Sequence, residues 1–117
     1  MSATVTVWHN TRCSKSRGAC ALLEEQGVDA EIVRYLDQPP TRDELERLMG
    51  LLGINDPRRM MRTGEPRYRE LGLRDADADT LLDAMVANPV LIERPIVIRG
   101  DRAVIARPPE RLLELLG

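Results

Sequence analysis

Long apolar runs, cysteine, histidine and lysine are all scarce in this 117-residue chain. Its apolar stretches extend only a few residues, too short for a transmembrane helix, and Met1-Ser2-Ala3-Thr4 carries no basic leader of a secretory signal. The expectation is a cytoplasmic protein with no membrane partner. Two cysteines, Cys13 and Cys20, are too few for a disulfide scaffold and suit a reducing compartment. One histidine and two thiols cannot close a structural zinc site without carboxylates, so no metal is expected. A net charge of −2 leaves no basic footprint for nucleic acid. The length fits one domain over residues 1–117, and composition leaves the oligomeric state open.

The placement of charge says more than its sum. Residues 1–23 hold Arg12, Lys15 and Arg17 but no Asp or Glu, and Cys13 lies among them. Lys15 is the only lysine among the 17 basic residues. Elsewhere acids and bases alternate closely, as on a solvated surface.

Thr4-Val5-Thr6-Val7-Trp8 alternates polar and apolar with β-branched residues, the pattern of a strand. Asn10 to Ser14 breaks it and leads into a helix carrying Ala19, Leu22 and Leu23 on one face, with Gly27 as its stop. Glu31 to Leu36 predicts a second strand, parallel to the first in a β-α-β unit. After Pro39-Pro40, Thr41-Arg42-Asp43-Glu44 is a capping box ahead of Leu45, Leu48, Met49 and Leu52. A helix is predicted from Asp56-Pro57 to Gly64, another over Pro66 to Leu71, and a third around Leu81, Leu82, Met85 and Val86. A helical insertion over about residues 37–93 follows from these. Strand character returns at Pro95 to Ile98, with a hairpin turn at Arg99 to Arg102 and a return strand over Ala103 to Ala106. A last helix follows Pro108-Pro109. The layout is an α/β fold: β-α-β, a helical insert, then β-β-α.

Cys13 stands where a helix begins. Free N–H groups and the helix dipole favour a thiolate there, and Arg12, Lys15 and Arg17 add positive charge nearby. The same place cradles an anion, such as an oxyanion or the thiolate of glutathione. The competing reading makes Cys13 a small buried hydrophobe. Cys20 lies two helical turns on, about 10 Å along the axis, too far for a disulfide and better read as core packing. A Cys-x-x-Cys pair is excluded by Asn10 and Ser16, and a Cys-x5-Arg phosphatase loop by Ala19. A single-thiol mechanism then needs an external reductant. His9 either tunes the thiol or caps the turn. Ser14 and Ser16 are either substrate contacts or helix N-caps, with capping expected of at least one. Arg94 and Arg107 both precede proline, which extends the backbone and lets a side chain project from a strand end.

Together, His9-x3-Cys13-x3-Arg17, Pro39 to Leu45, Arg62, Glu70-Leu71-Gly72-Leu73, Asn88-Pro89, Glu93 to Val97 and Arg107-Pro108-Pro109-Glu110 resemble the glutaredoxin-linked arsenate reductases. The likeness runs through nearly the whole chain. It implies a thioredoxin-like fold with a helical insertion, and Pro95 as a cis proline beside the site. It also implies that Cys13 attacks arsenate, and that glutathione, as co-substrate, and glutaredoxin then reduce the adduct to arsenite, with no bound cofactor. By the same resemblance His9 and Arg17 join Cys13 in catalysis, and Arg62, Arg94 and Arg107 hold the oxyanion. Ser14 and Lys15 are expected to touch it as well. Forked guanidinium donors suit a tetrahedral oxyanion better than lysine does.

The chain departs from the better-known members in reading Ser14-Lys15-Ser16-Arg17 where they carry Gly-Thr-Ser-Arg, and in stopping at Gly117. It is similar to a shorter branch of the family. Two alternatives share the fold: a glutathione-linked thiol oxidoreductase acting on another substrate, such as a mixed disulfide, and a non-catalytic regulator resembling the Spx group. Asn10, where that group places a first cysteine, counts against the regulator.

Overall fold

The computed structural model describes residues 4–116, in two compact units: residues up to 38 together with those from 94 onward, and residues 39–93. The first is built on a four-stranded sheet. Strand β1 (Val5–Trp8) leads into helix α1 (Ser14–Glu25), and β2 (Ala30–Val33) returns parallel to β1. Strands β3 (Ile96–Arg99) and β4 (Arg102–Ile105) complete the order β2-β1-β3-β4, with β3 antiparallel to both neighbours. This is the thioredoxin-like α/β arrangement expected from the β-α-β and β-β-α segments.

Alternation decides which residues enter the core. Val5 and Val7 point to one side of β1 and are buried with Val97, opposite Val7, and with Val104. Ala19 and Leu23 from α1, and Leu112 and Leu115 from the C-terminal helical segment, close the same cluster. Trp8 and Ile96, paired across β1 and β3, are buried on the opposite side of the sheet. The tight β3–β4 connection uses Gly100 at φ 61°, while Asp101 keeps a negative φ, as a type II′ hairpin turn demands. Gly18 lets α1 approach the 3₁₀ turn Pro109–Leu112 closely: a β-carbon there would lie 3.2 Å from Pro109 Cγ.

The second unit is a set of short helices. In α2 (Arg42–Leu52) the expected capping box is present: Glu44 N–H donates to Thr41 Oγ1 and Thr41 N–H to Glu44 Oε1. Asp77 caps α4 (Ala78–Ala87) by accepting from Thr80 N–H, and α3 (Pro66–Glu70) starts at a proline. Leu45, Leu48, Met60, Leu81, Met85 and Leu91 are fully buried. Arg58 staples the unit: its guanidinium donates to Tyr68 Oη and to the carbonyls of Leu73, Arg74 and Ala76.

Several expected boundaries move. The second strand stops at Val33 rather than Leu36, because Asp37 and Gln38 N–H both turn back to the Arg34 carbonyl and close the chain there. The helix expected from Asp56 to Gly64 is only a 3₁₀ turn, Pro57–Met60. Met61 is extended and bridges Ile92, with Arg62 N–H on the Leu91 carbonyl, so residues 37–93 are not all helical. Arg99 and Arg102 belong to the strands, leaving Gly100 and Asp101 as the turn.

Candidate active site

Cys13 is the N-cap of α1, extended at φ −97° and ψ 122°, with 9% of its surface exposed. Burial opposes ionisation of its thiol, yet the balance falls the other way. The backbone N–H groups of Ser16 and Lys15, and the charges of Arg94 and Arg107, hold the pKa below the ordinary thiol value. Arg107 Nη1 approaches Sγ at 4.0 Å and donates to the Arg94 carbonyl at 3.0 Å. Both arginines precede cis peptide bonds, at Pro95 as the resemblance implies and also at Pro108. The positive charge acting on the thiol therefore comes from the far end of the chain. The expectation had placed it on Arg12, Lys15 and Arg17.

The buried hub of this region is Ser16. Its Oγ accepts Asn10 N–H at 3.0 Å and lies 2.6 Å from His9 Nδ1. Because the Ser16 oxygen already accepts from Asn10 N–H, its hydroxyl proton is directed to Nδ1, which places the imidazole proton on Nε2. Cys20 Sγ is also close to Nδ1, at 3.6 Å, and burial raises its pKa, keeping it a thiol. Burial, with Arg34 and Arg17 nearby, lowers the His9 pKa and favours the neutral ring. His9 thus bonds to Ser16 and Cys20, and among the described residues it makes no hydrogen bond to Cys13.

Neither Ser14 nor Ser16 caps the helix, contrary to expectation, because Cys13 itself occupies the N-cap and Ser16 faces inward. The sequence held the signal for Ser16: with Ala19 and Leu23 it repeats at helical spacing on the buried face of α1. Ser14 and Lys15 are exposed on the first turn. Arg17 Nη1 donates to the Thr11 carbonyl at 2.9 Å and pins the loop ahead of Cys13. Arg62 lies in the 39–93 unit, where it pairs with Glu65 at 3.1 Å. The site as described can hold an anion beside an ionised thiol, with no group of three or more metal ligands among the described residues.

The model of the ArsC family matches residues 8–115. Among curated proteins, YfgD of Escherichia coli K12, described as uncharacterized, is 46% identical over the full length of both chains. An arsenate reductase of Neisseria meningitidis is 46% identical over 96% of this chain and 97% of its own. The solved structure of an arsenate reductase from Vibrio cholerae superposes with a TM-score of 0.94 at 46% identity, covering 97% of this chain and 98% of that one. A match of that extent, carried by the fold and by the Cys13 segment alike, places the chain in the ArsC family.

Proposed function

We propose that this chain is a thiol-dependent arsenate reductase that works in the cytoplasm with glutathione as co-substrate and glutaredoxin as partner. The observation that carries the reading is Cys13: a thiol held below its ordinary pKa by helix N–H groups and by two arginines that suit an oxyanion. The relatives named arsenate reductase support the substrate.

In this reading the arsenate oxygens lie against the first turn of α1 and the guanidinium groups of Arg94 and Arg107. The Cys13 thiolate attacks arsenic, forming an S–As bond while one oxygen leaves as water. Two glutathione thiols then supply two electrons, glutaredoxin completing the transfer. Arsenic leaves as arsenite, the glutathiones end as a disulfide, and Cys13 returns to the thiolate. Ser14 and Lys15 border the oxyanion. Ser16 and His9 position the Cys13 segment, since the Ser16 N–H faces the thiol while its hydroxyl is anchored on the imidazole. Arg17 holds the preceding loop.

The test is arsenate-dependent NADPH oxidation with glutathione, glutaredoxin and glutathione reductase. Turnover is expected in the wild type and in Cys20→Ser, and is lost in Cys13→Ser. A wild type that leaves arsenate untouched while Cys13 still alkylates below the ordinary thiol range sinks arsenate as the substrate. The search then moves to glutathione mixed disulfides.

A further inference from the structure

A groove of about 340 Å³ opens beside the loop that carries Cys13, lined by His9, Asn10, Arg12, Arg34, Leu36 and Asp37 among others. Its charges are uncommitted. Among the described residues neither Arg12 nor Arg34 has a side-chain ion pair or hydrogen bond, and neither does the Asp37 carboxylate, although all three are exposed. That contrasts with the clamped guanidinium groups of Arg17 and Arg58. Leu36, 42% exposed, adds an apolar patch. The groove also abuts the reactive segment. Arg12 directly precedes Cys13, and the Asn10 carbonyl accepts the Cys13 N–H at 3.0 Å.

Two cations and one anion without partners among the described residues, with one apolar side chain, beside the loop that leads into Cys13 form a pattern with a chemical complement. Glutathione carries two carboxylates, one ammonium and a central thiol. An extended peptide advances roughly 3.5 Å per residue, so its carboxylates stand about one and two residue lengths from the sulfur. We propose that this groove is the binding site for the peptide part of the thiol reductant, a tripeptide of glutathione's charge pattern. Arg12 and Arg34 take its carboxylates and Asp37 its ammonium. The inference rests on the reading that glutathione reduces this site, and it places that co-substrate on the β2 side of Cys13.

A test that needs no arsenate keeps the two readings separable. Reduced protein is mixed with glutathione disulfide or with the uncharged hydroxyethyl disulfide. In each case the Cys13 thiolate attacks one sulfur, a protein mixed disulfide forms and one thiolate leaves. Mass spectrometry gives the two rates on the Cys20→Ser background. In Arg12→Ala/Arg34→Ala the ratio of the glutathione disulfide rate to the hydroxyethyl disulfide rate should fall about tenfold, the scale of one or two charge-assisted contacts. Asp37→Ala should lower it less, and Arg102→Ala, on β4, should leave it as in the wild type. An unchanged ratio in the double variant, an equal fall in Arg102→Ala, or no reaction with glutathione disulfide overturns the groove assignment. Failure to reduce arsenate, with the ratio still falling, overturns the proposed substrate and leaves the groove standing.

Discussion

Replacing Ser16 by alanine removes one hydroxyl from a fully buried position and strands two partners. Asn10 N–H loses its acceptor at 3.0 Å, and His9 Nδ1 loses its donor at 2.6 Å. A buried polar group left without a partner costs about 1–3 kcal/mol. The Cys20 thiol, 3.6 Å from Nδ1, offsets part of the loss on the imidazole side. Among the described residues no second acceptor is bonded to Asn10 N–H. Alanine in place of serine inside a helix returns roughly 0.5 kcal/mol of propensity. The net expectation is a loss of about 1–3 kcal/mol, or a Tm lower by about 4–15 °C for a chain of this size. Denaturant unfolding followed by circular dichroism reads it directly, with Ser14→Ala as the exposed control expected within about 0.5 kcal/mol of wild type. The variant should also alkylate more slowly at Cys13, because the Ser16 N–H that faces the thiol is no longer anchored by its side chain. A Ser16→Ala protein as stable as Ser14→Ala would refute the role of this hydroxyl as the hub of the site.

Arg107→Gln should move the iodoacetamide alkylation profile of Cys13 to higher pH, since that guanidinium helps to hold the thiol down, while Cys20 stays slow across the range. Because the folded pKa of Cys13 is lowered, its ionisation stabilises the fold increasingly as pH rises from that value to the unfolded one. The stability of wild type relative to Cys13→Ser should therefore rise with pH in that window and be independent of pH below it, as measured by urea unfolding at several pH values. In the 39–93 unit, Arg58→Ala should lower the denaturant midpoint of unfolding by taking from the Leu73, Arg74 and Ala76 carbonyls the donor they share. Arg58→Lys should recover only part of that, since one ammonium cannot reproduce the fork; full rescue would show that charge alone matters there.

The elements legible from the sequence are those whose causes are local. Thr41 and Glu44 satisfy each other's backbone within one turn, so the start of α2 was visible at four residues' distance. Alternation placed β1, and the turn residues around Gly100-Asp101 placed the β3–β4 hairpin, though with Arg99 and Arg102 counted in the turn. Errors fell where a distant partner overrides local preference. Pro57 begins a helical turn in keeping with its fixed φ, but the pairing of Met61 with Ile92 draws the chain into an extended segment that the intervening helices bring together. Tyr35 has strand propensity, yet it is buried in a turn.

The site divides along the same line. Cys13 at the start of α1, with the backbone donors that favour its thiolate, is a local fact and was readable from a strand, a turn and a helical period. Its charge partners are not local. Arg107 is 94 residues away, and only the sheet order, which sets β3 next to β1, carries the segments flanking the β3–β4 hairpin to the first turn of α1. From the residues alone, Arg12, Lys15 and Arg17 were the natural candidates because proximity in sequence was the only distance available. In the fold, Arg17 is spent on the Thr11 carbonyl, while Arg12 opens on the groove beside His9. The basic segment thus shapes the surroundings of the thiol, and the hairpin supplies the charge that lowers its pKa. That division has a consequence: Arg94 and Arg107 variants should alter the thiol's reactivity towards neutral reagents, whereas Arg12 variants should alter only which charged reagents reach it.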